Sequence, residues 1–279
     1  MGVGYLGPKG SFTYAAAHQF FSTEILIPYE SLTSLLEAQR RQEIDHCVVP
    51  IENAIEGSVL PTLDLIFKTL PIIQAEIVLP IQQQLMVHPV HQADWEKTKL
   101  ICSHQQALAQ SQNFILEHFP TVDIEQTGST ALGAQKVAEH PEENYAAIGS
   151  REAAAQFGLV IVQEDIQSIE TNETRFWVLG DQPIQSNLIL EKRKATILFD
   201  LAHDHPGALY KGLAVFAEEK INLTKIESRT RKTKLGEYFF IIDLEVPTET
   251  KLVRVLQQLS QQDFTVKLIG NYPTYLQRN

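Results

Sequence analysis

The sequence is poor in the residues and runs that mark secreted or membrane proteins. Cys47 and Cys102 are its only cysteines, and both lie in apolar, strand-like runs, which predicts buried thiols rather than a disulfide framework. No run of eighteen apolar residues occurs, so no membrane-spanning helix is expected. The first ten residues, "MGVGYLGPKG", lack the basic and apolar regions of a signal peptide. We therefore expect a cytoplasmic protein with no membrane partner.

Positive charge is also scarce. The 279 residues include 23 Lys and Arg against 34 Asp and Glu, a formal net charge of −11. Because no basic stripe is present, nucleic acid is not expected as a partner. An anionic ligand would need a site built locally from backbone N–H groups and a few arginines. Only four arginines precede residue 190, and Arg175 is one of them.

The signatures of several chemistries are missing. The nine histidines are scattered, with neither a His-x₃-His pair on one helix nor paired cysteines, so no metal site is expected. The sequence contains no Gly-x-Gly-x-x-Gly and no Walker motif, which leaves nucleotide binding without support. His104 follows Ser103 as in half of a hydrolase site, but the G-x-S-x-G elbow is absent and hydrolysis is not favoured.

What the chain does contain is an alternation of short apolar runs with segments of helical period, typical of parallel or mixed sheets covered by helices. Strands are predicted at 2–7, 46–51, 72–81, 83–88, 99–103, 145–150, 159–162 and 175–180. Helices are predicted at 12–21, 33–43, 59–69, 104–118, 130–139 and 151–157. We therefore expect an α/β domain over residues 1–181, followed by a linker over residues 182–193.

Residues 194–279 follow a different pattern. A strand is predicted at 195–202, and a helix follows it after a Pro-Gly turn. The next elements are strands at 222–230 and 236–246, joined by the basic turn "RKTKLG", then a helix at 249–260 and a strand at 263–270. This strand-helix-strand-strand-helix-strand order is ferredoxin-like, so a small α+β domain is expected.

Hydroxyl residues stand where predicted strands of the first domain pass into helices. They are Ser11, Ser103, Ser129, Thr130 and Ser150. Helix capping explains any one of them, and Ser103 with Gln106 has the spacing of a capping box. Several such junctions at one edge of a sheet favour a ligand site, because carboxylates and phosphates bind at helix N-termini there.

Two further stretches place polar groups beside strands. Glu52 and Asn53 directly follow the strand at 46–51. Glu52 could hold a loop in place and Asn53 could cap a turn, or both could be site residues. In "NETRFWVLG", Thr174 and Arg175 stand at the start of an apolar strand. Neighbours on a regular strand point to opposite faces, so these two cannot share one pocket. Arg175 could instead form an ion pair with Glu52.

These motifs together resemble one family. The segments "GPKGSFT", "VVPIENAIEGSV", "SHQQALAQ", "GSTALGA", "AAIGSREAA" and "NETRFWVLG" resemble prephenate dehydratase. The tail "HPGALYKGLAVFAEEKINLTKIESRT" resembles the ACT regulatory domain that usually follows it. The resemblance implies a two-lobed catalytic domain like a periplasmic binding protein, with the active site in its cleft. It also implies conversion of prephenate to phenylpyruvate in L-phenylalanine biosynthesis, with no cofactor.

The resemblance also implies roles for residues at matching positions. The catalytic residues would be Asn53, Ser103, Gln110 and Thr174, and the substrate-binding residues Ser11, Ser129, Thr130, Arg175 and Phe176. Thr174 would donate a hydrogen bond to the departing hydroxyl, and Phe176 would pack against the substrate ring or simply in the core. Three positions depart from the family pattern: Gln105 replaces a proline, Ala54 a serine, and Thr230 a proline.

For the tail, the resemblance implies L-phenylalanine as an allosteric effector bound between ACT domains. The residues involved would be Pro206, Gly207, Ala208, Leu209, Glu227, Ser228 and Arg229. The alternative is a glycine turn and solvated strand residues. Binding between two chains requires a homo-oligomer, expected to be a dimer or a tetramer.

Two other functions stay open at this point. Arogenate dehydratase acts on the relative of prephenate that carries an ammonium group in place of the keto group, and Ala54 is the kind of change that could matter for that choice. A catalytically inert amino-acid sensor on the same fold is the other. The intact "ETNETRF" stretch argues against the sensor, which has no need of Thr174.

Overall fold

The computed structural model describes residues 2–184, 188–201, 205–230, 238–246, 248–262 and 264–276. The chain forms two compact units. The first contains residues 2–68 and 77–177, and the second contains residues 69–76 together with the described residues from 178 onward. No helix in these ranges combines the length and the apolar character needed to cross a bilayer.

The first unit begins with a lobe built on parallel strands. Its strands are β1 (Val3–Leu6), β2 (Leu26–Tyr29), β3 (His46–Asn53), the short β4 (Gly57–Ser58) and β5 (Ile73–Pro80), and its helices are α1 (Phe12–Phe20), α2 (Leu32–Arg40) and α3 (Leu60–Thr69). Residues 73–76 of β5 belong to the second unit. Strand β1 pairs in parallel with both β2 and β3. Residues 46–49 of β3 are buried, which explains the apolar run there, since parallel strands are covered on both faces.

The second lobe follows without interruption. Its strands are β6 (Gln84–Val87), β7 (Leu100–Ser103), β8 (Asp123–Gln126), β9 (Tyr145–Gly149) and β10 (Val160–Gln163), and its helices are α4 (Gln105–Gln110), α5 (Gln112–His118), α6 (Thr130–Glu139) and α7 (Arg151–Phe157). The order in the sheet is β10-β6-β9-β7-β8. Strands β8, β7 and β9 are parallel, and β6 and β10 are antiparallel. Two short 3₁₀ helices, Pro89–His91 and Trp95–Lys97, follow β6.

The chain then returns to the first lobe through β11 (Glu173–Gly180), which lies between β5 and β3. The order there is β5-β11-β3-β1-β2, with β4 paired to β3. Residues 176–179 of β11 are buried, so the apolar half of the strand anchors its polar start.

Residues 178 onward form the second unit with residues 69–76. Its elements are β12 (Leu190–Leu201), α8 (Ala208–Glu218), β13 (Leu223–Thr230), β14 (Tyr238–Glu245), α9 (Glu249–Gln261) and β15 (Phe264–Leu276). The order of these four strands in the sheet is β13-β14-β12-β15. Strand β12 is antiparallel to both β14 and β15, and β13 is antiparallel to β14. Apolar residues of α8 and α9 pack on this sheet, among them Val215, Phe216, Val255 and Leu259.

The predicted fold class, a two-lobed α/β domain followed by a ferredoxin-like α+β domain, is confirmed. Residues 190–193 of the predicted linker lie in β12, while residues 185–187 lie outside the described ranges. The basic turn at 231–236 also lies outside them, and the last strand continues to Leu276, beyond its predicted end.

Three strands were not predicted, the two-residue β4 and the edge strands β2 and β8, and one predicted helix is two. Strands β2 and β8 stand at sheet edges, where partial exposure removes the need for an apolar run; β2 includes Pro28 and β8 reads "DIEQ". The predicted helix at 104–118 breaks at Ser111, whose N–H donates to both Ala107 O and Leu108 O.

Candidate active site

A cavity of about 680 Å³ opens between the two lobes of the first unit. That volume suits a small-molecule ligand. The first lobe contributes the loops after β1 and β3 and the start of β11; the second contributes residues at the starts of α4 and α6. Seven residues predicted from the sequence line it: Ser11, Asn53, Gln110, Ser129, Thr130, Thr174 and Phe176.

Asn53 and Thr174 are hydrogen-bonded to each other in this cavity. The Nδ2 of Asn53 donates to Thr174 Oγ1 over 2.9 Å. The Oδ1 of Asn53 accepts from the N–H groups of Ile55 and Glu56, over 3.0 and 3.1 Å. These backbone donors fix the orientation of the Asn53 amide. Because the Thr174 oxygen accepts this bond, its proton is available to an acceptor in the cavity.

Three more side-chain amides extend this contact. Asn172 Oδ1 accepts from Asn53 Nδ2 over 2.8 Å, and Asn172 Nδ2 donates to Gln110 Oε1 over 3.1 Å. Gln83 Nε2 donates to the same Gln110 oxygen over 3.2 Å. The buried Oε1 of Gln83 has no donor among the described residues. Among those residues, none accepts from the Gln110 amide nitrogen, which leaves it for the cavity that Gln110 lines.

Two helix N-termini reach the cavity. Ser11 caps α1 by accepting from the N–H of Tyr14 over 3.2 Å. Ser129 caps α6 by accepting from the N–H of Leu132 over 3.1 Å, and Thr130 is the first residue of that helix. Helix N-termini concentrate unpaired N–H groups and positive dipole, so each lobe offers the cavity a region that suits a carboxylate despite the negative net charge.

Strand alternation separates the residues of the "TRF" stretch. Thr174 and Phe176 line the cavity, and Phe176 is buried there. Arg175 does not line it, and its guanidinium forms an ion pair with the Glu52 carboxylate. Of the two arrangements considered for Arg175 from the sequence, substrate binding and an ion pair with Glu52, the structure shows the ion pair.

Ser103 is the sequence-predicted site residue that lies deepest. It is fully buried, does not line the cavity, and donates from Oγ to Ile148 O over 2.6 Å. The predicted Ser103–Gln106 capping box is wrong, because His104 is the N-cap of α4. Ser103 belongs to β7, where its hydroxyl ties that strand to β9.

His104 and Gln83 are cavity residues to which sequence reasoning gave no role. His104 Nδ1 accepts from the N–H of Gln106 over 3.3 Å, so the proton of the neutral ring is on Nε2. The resemblance motif "SHQQALAQ" contained the signal for His104. Gln83 sits in a glutamine run at 82–84, which carries no motif that could have singled it out.

The cysteines lie away from the cavity. Burial raises the pKa of the Cys102 thiol to about 11, with the neighbouring Glu125 carboxylate adding to the effect. Burial likewise raises the pKa of the Cys47 thiol. Both thiols are buried as predicted, and as neutral groups they are not nucleophiles near neutral pH. In the described ranges no group of three or more His, Cys, Asp or Glu side chains could hold a metal ion.

The effector residues implied by the resemblance lie at two places in the second unit. Residues 206–209 include the start of α8, where Gly207 has φ of 85°, in the left-handed region that favours glycine. On β13, Glu227 and Arg229 are partly buried on one face, with Arg229 Nη1 lying 3.9 Å from Glu227 Oε1. Ser228 is exposed on the other face.

A two-lobed α/β unit with a cavity of hydroxyls, amides and helix N-termini defines a protein that holds a small anionic molecule between its lobes. The family model "Prephenate dehydratase" matches residues 3–184, and the model "ACT domain" matches residues 196–261. The chain belongs to the prephenate dehydratase family, which confirms the resemblance seen in its motifs.

Individual relatives match over nearly their whole length. The chain is 40% identical to the prephenate dehydratase of Lactococcus lactis, covering 99% of this chain and 98% of that one. It is 38% identical to the prephenate dehydratase of Bacillus subtilis, covering 99% of both. The solved prephenate dehydratase of Arthrobacter aurescens, in complex with L-Phe, is 33% identical with a TM-score of 0.84, covering 98% of this chain and 89% of that one.

Proposed function

We propose that the chain catalyses the decarboxylating dehydration of prephenate to phenylpyruvate in L-phenylalanine biosynthesis. Family membership over almost the full length supports this activity. The observation that carries the mechanism is the Asn53–Thr174 hydrogen bond in the cavity. Thr174 Oγ1 accepts in this bond, and among the described residues none accepts from its hydroxyl, so the proton can be donated to a bound molecule.

The reaction breaks two bonds. The bond to the ring carboxylate breaks, and its electron pair enters the ring as carbon dioxide leaves. The ring carbon–oxygen bond breaks with its electron pair on the hydroxyl oxygen, which takes one proton and departs as water. Aromatisation of the ring supplies the driving force, so the protein has to position the substrate and stabilise charge on the departing oxygen.

Thr174 acts on that departing oxygen. A threonine hydroxyl is too weak an acid to protonate it alone, so its role is a positioned hydrogen bond on developing charge. Such a bond contributes roughly 3 kcal/mol, or about a hundredfold in rate. Gln110 donates from its amide to a second acceptor of the substrate. The N-termini of α1 and α6, with Ser11, Ser129 and Thr130, receive the carboxylates.

Phe176 completes the site on the same face of β11 as Thr174. Its ring gives an apolar surface against which the substrate ring packs as it becomes aromatic. Ser103 lies behind the cavity wall and supports β7 and β9, while Arg175 supports the end of β3, which carries Asn53, through its pair with Glu52.

The test is phenylpyruvate formation from prephenate, measured by absorbance for the wild type and Thr174→Val. We expect the variant to keep its fold and to lose at least about a hundredfold in kcat, because the hydrogen bond acts in the transition state. Thr98→Val is the matched control: Thr98 is buried, donates to Trp95 O over 2.7 Å and does not line the cavity. A wild-type chain inactive on prephenate would contradict the proposal, and arogenate would be the next substrate tried.

We also propose that L-phenylalanine regulates the enzyme through the ACT domain of a homo-oligomer. The ACT match and the L-Phe complex of the Arthrobacter aurescens relative support this. If phenylalanine lowers substrate affinity, linkage requires that substrate lower phenylalanine affinity by the same factor. Turnover of prephenate that does not change with phenylalanine would contradict the proposed regulation but not the proposed catalytic activity.

A further inference from the structure

Four side-chain amides form a continuous chain that ends on Thr174. In order they are Gln83, Gln110, Asn172 and Asn53, and successive donor–acceptor distances are 3.2, 3.1, 2.8 and 2.9 Å, the last to Thr174 Oγ1. Asn172 is the middle link and is buried. Asn172 and Gln83 are the two members of the chain that the reaction scheme above does not use.

The direction of this chain is set at one end by the backbone. The N–H groups of Ile55 and Glu56 both donate to Asn53 Oδ1, so the Asn53 amide nitrogen must face Asn172 and Thr174. Asn172 therefore presents its oxygen to Asn53. An amide has its donor and acceptor on opposite arms, so the other arm of Asn172 is an N–H donor.

That donor decides the orientation of Gln110. Gln110 Oε1 accepts from both Asn172 Nδ2 and Gln83 Nε2, which occupies the two lone pairs of a carbonyl oxygen. Its amide nitrogen is then left for the cavity that Gln110 lines. Thr174 and Gln110 consequently both offer protons to a bound molecule.

We propose that Asn172 is a positioning residue that makes the cavity select a ligand with hydrogen-bond acceptors facing Thr174 and Gln110. The N–H groups of residues 55 and 56 fix the orientation of the Asn53 amide, and Asn172 in turn fixes the orientation of the Gln110 amide. Asn172 itself does not contact the substrate. The proposal rests on the proposed function, since the acceptors it names are the oxygens of prephenate.

Asn172→Asp tests this with almost no change of shape. An aspartate at this position still accepts from Asn53 Nδ2 but has no N–H for Gln110. The Gln110 amide would turn over to donate to the new carboxylate, and its oxygen would face the cavity in place of the nitrogen. Gln83 would turn with it. The substrate oxygen then meets an acceptor, so binding weakens, while Thr174 keeps its bond from Asn53.

We expect Asn172→Asp to raise the KM for prephenate at least about tenfold and to change kcat by less than about threefold. Gln110→Glu should raise KM similarly, because its second carboxylate oxygen also presents an acceptor. A merely structural role would instead lower stability and activity together. The control is Asn144→Asp: Asn144 is also buried in the first unit, donates to Asp94 O over 3.0 Å and does not line the cavity. It should change KM by less than about threefold.

A double-mutant cycle shows whether Asn172 acts through Gln110. In a Gln110→Ala background there is no amide to turn, so adding Asn172→Asp should change KM by less than about threefold. An unchanged KM in the single Asn172→Asp variant, or the same rise in both backgrounds, would overturn the inference. Circular dichroism and thermal unfolding of each variant check that it is folded.

The outcome is separable from that of the proposed function. If the wild type forms phenylpyruvate from prephenate, the function stands whatever Asn172→Asp does. If it forms none, the function fails, and calorimetry with phenylpyruvate, a keto acid rich in acceptors, decides the inference. Binding that is weaker in Asn172→Asp than in the wild type supports it; equal binding, or no binding by either chain, overturns it.

Discussion

At the scale of single residues, the two faces of β11 have different surroundings: one faces the cavity and the other forms an ion pair with a neighbouring strand. Thr174 and Phe176 face the cavity, while Arg175 between them pairs with Glu52 on the other side. Glu52 precedes Asn53 in β3, so the ion pair on one face holds the position from which Asn53 reaches Thr174 on the other.

We expect Arg175→Gln to lower the free energy of unfolding by about 2 kcal/mol, because it leaves the Glu52 carboxylate without its charged hydrogen-bond donor. The side chains of Arg175 and Glu52 are 15% and 27% exposed, so solvent replaces the lost partner poorly. Adding Glu52→Gln should recover part of the loss. Urea unfolding monitored by circular dichroism measures both.

The control for this pair is Arg151→Gln. Arg151 and Glu164 also form an ion pair, but their side chains are 56% and 59% exposed, and exposed pairs contribute about 0–1 kcal/mol. If Arg175→Gln is as mild as Arg151→Gln, the Glu52 pair is not a support of β11. If it raises KM with no loss of stability, Arg175 binds substrate as the family resemblance implied.

At the scale of elements, α6 brings Ser129 and Thr130 to the cavity because it packs closely on β7. Gly133 makes that approach possible: a Cβ there would lie 2.7 Å from Cys102 O and 3.2 Å from Ser103 Cα. Backbone atoms of a central strand cannot move aside as a flexible side chain can. The glycine is thus required by packing rather than by its own conformation.

Gly133→Ala should destabilise the protein by about 2 kcal/mol through overpacking, although Ala is favoured over Gly in a helix by about 1 kcal/mol. It should also raise the KM for prephenate, because α6 must shift and carries Ser129 with it. Equilibrium urea unfolding and steady-state kinetics give the two effects. Gly128→Ala, whose added Cβ would meet nothing closer than Leu132 Cδ1 at 3.4 Å, should be nearly neutral in stability. A stabilised Gly133→Ala variant would show that α6 is not held against β7 by close contact.

At the scale of the whole molecule, the division into units does not follow the chain. Residues 69–76 belong to the second unit although they precede half of the first. Within that unit, the fully buried Glu76 accepts from Lys194 Nζ over 2.6 Å and from Thr274 Oγ1 over 3.3 Å. Both donors come from residues beyond the catalytic segment predicted to end at 181.

A chain cut after residue 181 should therefore not fold stably. It would leave residues 69–76 without most of the rest of the second unit, including Lys194 and Thr274, the donors to Glu76, and it would expose apolar surface and strand edges of that segment to solvent. Since whole domains are stable by about 5–15 kcal/mol, we expect aggregation or non-cooperative thermal unfolding. Cooperative unfolding with full turnover by the unmodified cut chain would contradict this.

The sequence by itself was enough to predict the fold class and part of the residues that line the cavity. Apolar periodicity specified β3, β11 and the helices, because buried parallel strands and amphipathic helices leave strong patterns. Edge strands β2 and β8 leave weak ones and were missed. The family motifs included seven of the residues that line the cavity. Strand alternation alone predicted that the side chains of Thr174 and Arg175 point to opposite faces of the strand.

Only the tertiary structure decided how those residues act on one another. Ser103 lies in a motif with cavity residues, yet its hydroxyl is taken by Ile148 O, because β7 and β9 are neighbours. Asn172 and Gln83 gained a role because loops distant in sequence place their amides within hydrogen-bonding distance of Gln110. The direction of a hydrogen bond depends on every partner along the network, and the local pattern of a sequence carries no record of partners that are far apart in the chain.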